Sequence, residues 1–208
     1  MTIDGKIASK TGDPELSDDL DWKEVHKLRK EMDAIIVGKN TILNDNPKLH
    51  IKYYDHNGYH RIVVDSKLSI PINSKVIEYQ QELYPTIILT TEDAPFEKIK
   101  EFEAKNIKII RVGKEKQVDL KKAMSLIYDL GINKLLLEGG GTLNWSFIKN
   151  DLVDEMRLTI APWIIGGEDA ISLVEGNGFE YMSQGIKFNL IDLSSRDNYV
   201  ILRYKRRE

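Results

Sequence analysis

The fold is decided by a stretch that reads Leu135-Leu136-Leu137-Glu138-Gly139-Gly140-Gly141-Thr142 and continues as Leu143-Asn144-Trp145-Ser146-Phe147-Ile148. An apolar run that leads into glycines and then into an apolar-periodic segment predicts a buried strand, a tight turn and a helix. Glycines let a backbone approach a ligand closely, and the free N–H groups at a helix start can bind phosphate. The pattern is neither a Walker A loop nor a complete dinucleotide fingerprint, so a tight turn without a ligand is the alternative.

Four short apolar runs precede this stretch and have the branched, nearly continuous composition of parallel strands that are covered on both faces. They lie at residues 34–37, 61–65, 86–91 and 108–112. Helical patterns separate them, including one that begins at Asp119 and stops at Gly131. This alternation predicts an α/β fold with a mostly parallel sheet.

The last part of the chain has a different pattern. Strands are predicted at residues 156–160, 188–193 and 199–204, and no helix separates the last two. Residues 194–198 are polar and predict a hairpin loop. We therefore expect one domain over residues 1–208, with a mixed sheet that ends in an antiparallel C-terminal hairpin.

Composition excludes several classes of protein. The 208 residues contain no cysteine, which excludes disulfides, thiolate metal sites and a cysteine nucleophile. The formal net charge of −3 does not suit a general nucleic-acid binder, and no apolar run is long enough to span a membrane. Gly58 interrupts the spacing of His56 and His60, so we expect no metal site there. The expected location is the cytoplasm.

Polar residues follow several predicted strands, and each has a plainer interpretation. Glu138 ends its strand beside the glycines, where open α/β sheets bind ligands. Thr41 and Asp45 are four residues apart and share a face on a helical turn, although Asp45 also suits a local turn acceptor. Ser66 and Lys67 follow another strand and suit a phosphate, although charged residues there are usually only solvated.

Taken together, these segments resemble the reductase of riboflavin biosynthesis, a family with a dihydrofolate-reductase-like fold. The matching blocks cover nearly the whole chain, and their order and spacing are specific. They are residues 2–8, 28–29, 33–38, 41–49, 61–66, 138–143 and 153–167. The resemblance implies a three-layer α/β architecture and a homodimer.

The resemblance also implies an activity, namely NADPH-dependent reduction of a phosphorylated ribosylaminopyrimidine at C1′ of its opened ribose. The implied cofactor contacts are Thr41, Asp45, Ser66, Lys67, Gly139, Gly140, Gly141, Thr142 and Leu143. The implied substrate contacts are Asp4, Arg29, Leu49, Lys52 and Glu138. Arg29 and Lys52 suit the substrate phosphate, and Lys67 suits the adenosine 2′-phosphate that distinguishes NADPH from NADH. Lys6 and Glu138 are the implied catalytic residues.

Two departures from the family pattern bear on these expectations. The chain lacks the His-x-Glu and Pro-Cys-x-x-Cys signature of the zinc deaminase that precedes this domain in bifunctional relatives. A stand-alone reductase implies that reduction comes before deamination, and therefore a 2,5-diamino-pyrimidinone substrate. The family also has a strand before the Asp-Gly-Lys segment, whereas only residues 1–3 precede Asp4 here, so we expect that strand to be missing.

Three alternatives remain open at this point. One is a 5-amino-6-(5-phosphoribosylamino)uracil reductase, which reverses the order of the two reactions. Another is a dihydrofolate or pteridine reductase, since fold alone does not separate these activities. The third is a nucleotide-binding module without turnover. We expect a small phosphorylated pyrimidine as the partner, and neither nucleic acid nor a membrane.

Overall fold

The apolar runs in the first two thirds of the chain form one parallel sheet. The computed structural model describes residues 1–114 and 117–207. They pack as two compact units, unit 1 with Met1–Trp22 and Gly140–Glu208 and unit 2 with Lys23–Gly139. We describe each unit by itself.

Unit 2 contains a five-stranded parallel sheet with the order β4-β3-β2-β1-β5. Its strands are β1 (Ala34–Gly38), β2 (His60–Val64), β3 (Thr86–Thr90), β4 (Lys108–Arg111) and β5 (Leu135–Gly139). The strands β1 to β3 carry runs of buried isoleucine, valine and leucine, as expected for parallel strands that are covered on both faces. The predicted strands are confirmed to within one or two residues at each end.

Within residues 1–114 and 117–207, one helix precedes these strands, and four helices connect them. They are α1 (Asp19–Lys30), α2 (Lys39–Asp45), α3 (Lys75–Glu78), α4 (Phe96–Glu103) and α5 (Leu120–Asp129), and α1 belongs to unit 2 from Lys23 onward. The side chain of Asp119 accepts a hydrogen bond from the N–H of Lys122 and caps α5, and Gly131 follows the helix with a φ of +84°. The helix predicted from Asp119 to Gly131 is confirmed.

Unit 1 contains α6 (Gly141–Lys149), a short 3₁₀ turn at Met182–Gln184 and a three-stranded antiparallel sheet. The sheet has the order β6-β8-β7, with β6 (Glu155–Ile160), β7 (Phe188–Arg196) and β8 (Tyr199–Arg206). The C-terminal hairpin is confirmed, but its turn is shorter than the predicted loop over 194–198. Arg196 pairs directly with Tyr199, because Asp197 adopts the left-handed conformation that a tight turn requires.

The strands form two sheets, whereas we expected one mixed sheet. Among the described residues, β5 pairs only with β1, and β6 pairs only with β8, so each has one edge without a hydrogen-bonded strand. Residues 1–3 are not in a strand, and the carbonyl oxygen of Met1 accepts a hydrogen bond from the N–H of Ala161 within unit 1. Within the described part of the chain, no helix has both the length and the apolar character that crossing a membrane requires.

Candidate active site

An ion pair between Arg29 and Glu138 lies at the end of β5. The Nε and Nη2 atoms of Arg29, on α1, each donate to one carboxylate oxygen of Glu138 at 2.6 Å. The two side chains are only 8% and 17% exposed. Burial alone would lower the pKa of Arg29, but the charge and hydrogen bonds of Glu138 raise it above its ordinary value. The pair therefore fixes a carboxylate at the end of a parallel strand, where ligands of such sheets bind.

All three nitrogens of the Arg29 guanidinium have partners. Its Nη1 donates to the carbonyl oxygen of His50 at 2.8 Å. The sequence predicts Arg29 as a phosphate ligand, and the structure places its guanidinium between a carboxylate and a backbone carbonyl. These bonds use three of the five guanidinium N–H donors, so one donor on each terminal nitrogen remains for a ligand such as phosphate.

Leu49 and Lys52 lie on the irregular segment between α2 and β2. The side chain of Leu49 is buried in the apolar cluster of unit 2, and its φ of +48° is unusual for a residue with a side chain. Lys52 is exposed, and its Nζ lies 5.1 Å from the ring centroid of Tyr53. Of these two predicted substrate contacts, only Lys52 presents a side chain to solvent.

Thr41 and Asp45 lie on α2, directly after β1. The helix is confirmed, and it ends at Asn46, which has left-handed φ and ψ angles of 41° and 54°. The four-residue spacing places both side chains on one face of this helix. The predicted cofactor contacts Thr41 and Asp45 are therefore neighbours at the carboxyl end of β1.

The turn after β2 is organised by a buried carboxylate. Asp65 accepts hydrogen bonds from the N–H groups of Lys67, Ser69 and Ile70 and from the hydroxyl of Ser69. Ser66 is half-buried, and Lys67 is exposed. Asp65 thus shapes a turn that presents a hydroxyl and an ammonium group at the carboxyl end of a strand.

The glycines between β5 and α6 have backbone conformations that favour glycine. Gly139 has a φ of +81°, and Gly140 has φ and ψ angles of 83° and 131°, a region that side chains disfavour. The intrahelical bonds of α6 begin with the N–H of Asn144, which donates to the carbonyl of Gly140. The N–H groups of the first turn are thus outside the helix ladder, and this turn contains no acidic residue. A helix start of this kind fits the phosphates of a dinucleotide.

Other residues at the start of α6 contribute differently. Thr142 is exposed, whereas the side chain of Leu143 is buried, so Leu143 offers a ligand only its backbone. Gly141 is required by packing, because a Cβ atom there would lie 2.5 Å from the carbonyl oxygen of Ser172 and 2.6 Å from Cγ of Glu175. The sequence suggested that a ligand requires this glycine. Its close contact with residues 172–175 is enough to require glycine there.

Asp4 and Lys6 lie in unit 1 and organise its loops. Asp4 accepts a hydrogen bond from the N–H of Gly166 at 2.7 Å. A hydrogen bond from Thr2, followed by that from Gly166, lowers the pKa of Asp4. The Nζ of Lys6 donates to the carbonyl of Ala170 at 2.9 Å and lies 3.1 Å from the hydroxyl of Ser172. An ammonium group has three N–H donors, so Lys6 is held in place and keeps a donor for a ligand.

Unit 2 thus contains Arg29, Glu138, Lys52 and the predicted contacts of α2 and the β2 turn, and unit 1 contains Asp4, Lys6 and the start of α6. Sequence reasoning missed one group of residues in unit 2, namely His26, Tyr59, Arg61 and Tyr84. Their side chains bind the backbone around Leu49. The sequence feature that could have revealed this group is Arg61, a cation inside a predicted buried strand.

The chain matches the family model described as RibD C-terminal domain over residues 1–202. A protein of Methanothermobacter thermautotrophicus, named 2,5-diamino-6-ribosylamino-4(3H)-pyrimidinone 5′-phosphate reductase, is 42% identical over 193 residues, which are 91% of this chain and 87% of that protein. A protein of the same name from Aquifex aeolicus is 35% identical over 205 residues, which are 96% of this chain and 88% of that protein.

A solved structure has the same fold. It is RibD of Acinetobacter baumannii, which matches with a TM-score of 0.80 and 22% identity. The match covers 99% of this chain and 55% of that chain, so this chain spans about half of that protein. At this identity the likeness shows the fold alone, and it confirms the expected dihydrofolate-reductase-like α/β class.

Proposed function

The chain belongs to the RibD C-terminal domain family, and we propose that it reduces 2,5-diamino-6-ribosylamino-4(3H)-pyrimidinone 5′-phosphate to its ribitylamino product in riboflavin biosynthesis. Two relatives that match over more than nine tenths of this chain are named as this reductase. The chain is an oxidoreductase that uses a nicotinamide cofactor. The family match continues through both units, which supports one reductase domain over residues 1–208.

The observation that carries the proposal is the pair of Arg29 and Glu138 at the end of β5. The reaction passes through a positively charged imine at C1′ of the opened ribose, and a fixed negative charge stabilises such a group. A carboxylate has about four lone-pair sites, and Arg29 uses one on each oxygen of Glu138. The remaining sites can accept hydrogen bonds from the sugar hydroxyls and orient the reacting carbon.

Lys6 in unit 1 and Lys52 in unit 2 are each proposed as substrate contacts. Lys6 is held by Ala170 and Ser172, and its remaining donor suits a sugar hydroxyl. Lys52 is exposed and suits the substrate phosphate. Asp4 and the backbone of Leu49 are also proposed as parts of the substrate site. Asp4 shapes the loop at Gly166, and Leu49 sets the course of the chain toward Lys52.

The proposed cofactor is NADPH, which supplies a hydride from its nicotinamide ring when bound. The start of α6, from Gly139 to Leu143, would hold its phosphates through backbone N–H groups. Thr41 and Asp45 on α2 and Ser66 after β2 would contact the rest of the cofactor. Lys67 would bind the adenosine 2′-phosphate, and the bonds that Asp65 makes to its turn support this assignment.

We also propose that two copies of the chain associate through β7. Its apolar residues Leu190, Ile191 and Leu193 are 50%, 47% and 63% exposed. Among the described residues, β7 pairs only with β8, so one edge remains open to a second copy. Light scattering on the wild-type chain and on Leu193→Lys tests this, since the variant should be monomeric.

The function is tested by following NADPH absorbance with the purified chain and three compounds, namely the diamino substrate, its deaminated uracil analogue and dihydrofolate. We expect NADPH to be oxidised either with the diamino compound alone or with a kcat/KM that is much higher for the diamino compound than for the other two. Preference for the uracil analogue would keep the reductase and reverse the reaction order. Turnover of dihydrofolate alone, or NADPH binding without turnover, would contradict the proposed function.

A further inference from the structure

Side chains from four different elements or connections bind the backbone of an irregular segment, residues 48–52. We call this segment the strap. Each of its five residues has a backbone N–H or C=O group bonded to a side chain. The bonds join Lys48 O to Arg61 Nη1, Leu49 O to the Tyr59 hydroxyl, His50 O to Arg29 Nη1, Ile51 N to the Tyr84 hydroxyl and Lys52 N to His26 Nδ1, at 2.8 to 3.2 Å.

These bonds hold a conformation that the strap would not adopt by itself. Leu49 has a positive φ of 48°, which is disfavoured for a residue with a side chain. Leu49 and Ile51 are buried, while Lys48 and Lys52 are exposed, so alternate side chains lie on opposite sides of the segment. We call the five side chains that bind the strap its anchors. The anchors fix which side chains the strap presents to a ligand.

The anchors themselves are fixed. Nδ1 of His56 accepts from the N–H of Gly58, so the neutral ring carries its proton on Nε2, which lies 2.7 Å from the Tyr84 hydroxyl. Arg61 is fully buried, and its second terminal nitrogen donates to the carbonyl of Tyr84. Burial lowers the pKa of Arg61 to about 10, so it remains a cation at neutral pH.

Arg29 binds the strap and also forms the ion pair of the candidate active site. One guanidinium donates to both oxygens of Glu138 and to the carbonyl of His50. A displacement of the strap therefore moves an acceptor of Arg29, and with it the group that orients Glu138. The strap also carries Lys52, the proposed phosphate contact.

We propose that Tyr59 and Tyr84, together with His26 and Arg61, are positioning residues of the substrate site, which hold the strap so that Lys52 meets the substrate phosphate. This inference rests on the proposed function, because it needs a phosphorylated substrate at Lys52. The residues act through the backbone of the strap and touch neither substrate nor cofactor. Their loss should therefore change substrate affinity and leave cofactor affinity as it is.

The test uses the hydroxyl deletions Tyr59→Phe and Tyr84→Phe, which keep the rings. Tyr128→Phe is the matched control, since Tyr128 is 66% exposed on α5. Losing one neutral hydrogen bond to the strap should raise the KM of the diamino substrate by roughly three- to ten-fold, with the Kd of NADPH unchanged. A lower melting temperature with an unchanged KM would show a merely structural role and overturn the proposal.

A double-mutant cycle with Lys52→Met tests the route by which the hydroxyls act. If Tyr59 works through Lys52, adding Tyr59→Phe to Lys52→Met should raise the KM much less than it does in the wild type. Full additivity of the two effects would overturn the proposal. Absence of turnover in the wild type would contradict the proposed function, whereas wild-type turnover with Tyr59→Phe and Tyr84→Phe behaving like the control would contradict only the positioning role.

Discussion

Arg29 binds both carboxylate oxygens of Glu138, each at 2.6 Å, although 108 residues lie between them in the sequence. The pair joins α1 to the end of β5 within unit 2. A bidentate pair of this kind fixes the orientation of a carboxylate better than a single contact does. In our account this fixed carboxylate is the centre of the reductase site.

Replacing Glu138 by Gln tests that role. The neutral amide cannot stabilise the charged imine, and it leaves the buried guanidinium of Arg29 without a counter-charge. We expect kcat/KM to fall by about 100-fold or more and the free energy of unfolding to fall by about 2 kcal/mol. Steady-state kinetics and urea unfolding measure the two effects.

Glu155→Gln is the control for this variant. Glu155 pairs with Arg203, and both side chains are almost half exposed. Removing an exposed pair should cost less than about 1 kcal/mol and leave the kinetics unchanged. Equal losses in the two variants would mean that the pair of Arg29 and Glu138 has no special role.

Lys67→Met should change the choice between NADPH and NADH. Loss of a charge-assisted contact to the 2′-phosphate should raise the KM of NADPH by about tenfold, while the KM of NADH stays within about twofold. Lys121→Met, an exposed lysine on α5, serves as the control and should alter neither value. A parallel rise for both cofactors would remove Lys67 from the 2′-phosphate site.

Gly140→Ala should weaken cofactor binding. Its φ of 83° and ψ of 131° are disfavoured for alanine by about 1 to 3 kcal/mol, and relief of that strain displaces the start of α6. We expect the Kd of NADPH, measured by fluorescence titration, to rise by about tenfold. Gly131→Ala is the control. Gly131, after α5, has a φ of +84°, and a Cβ atom there would meet no other atoms, so this variant should lose stability but bind NADPH normally. Normal binding by both variants would contradict the phosphate site.

His26 predicts a particular pH dependence of stability. Burial, and next the charge of Arg29, lower the pKa of His26 from 6.5 to about 4. Between these values the unfolded chain binds a proton that the folded chain does not, so stability falls as the pH falls through this window. His26→Asn keeps an acceptor for the N–H of Lys52 and cannot titrate. Its melting temperature should therefore fall less than that of the wild type between about pH 7 and about pH 5, and an equal fall would contradict this explanation.

The sequence predicted the strands and helices well because their signals are local. The apolar runs of β1 to β5, the Asp119 cap and the glycine turn each depend on a few adjacent residues. The division into two sheets was not predictable in this way, because it depends on which strand edges find a partner. The short turn at Asp197 was missed because Ser194 to Arg196 are polar yet pair with β8.

The candidate site was predictable as a set of positions and not as a set of contacts. Arg29 was expected at a phosphate, and its binding to Glu138 and His50 depends on tertiary structure that no spacing encodes. Gly141 was expected to contact a ligand, and its closeness to the carbonyl of Ser172 explains why this residue is a glycine. The anchors of the strap come from α1, from β2 and the chain just before it, and from the connection before β3, so no local pattern reveals them.

The most direct test of the account uses NADPH that carries deuterium at C4 of the nicotinamide ring, with the diamino substrate and the wild-type chain. Mass spectrometry and NMR of the product should place one deuterium at C1′ of the ribityl chain when the transferred face is labelled, with much slower transfer in Glu138→Gln. Cofactor oxidation that leaves C1′ unlabelled with either labelled face, or no ribityl product at all, would contradict the assignment of this chain as the ribose-reducing enzyme.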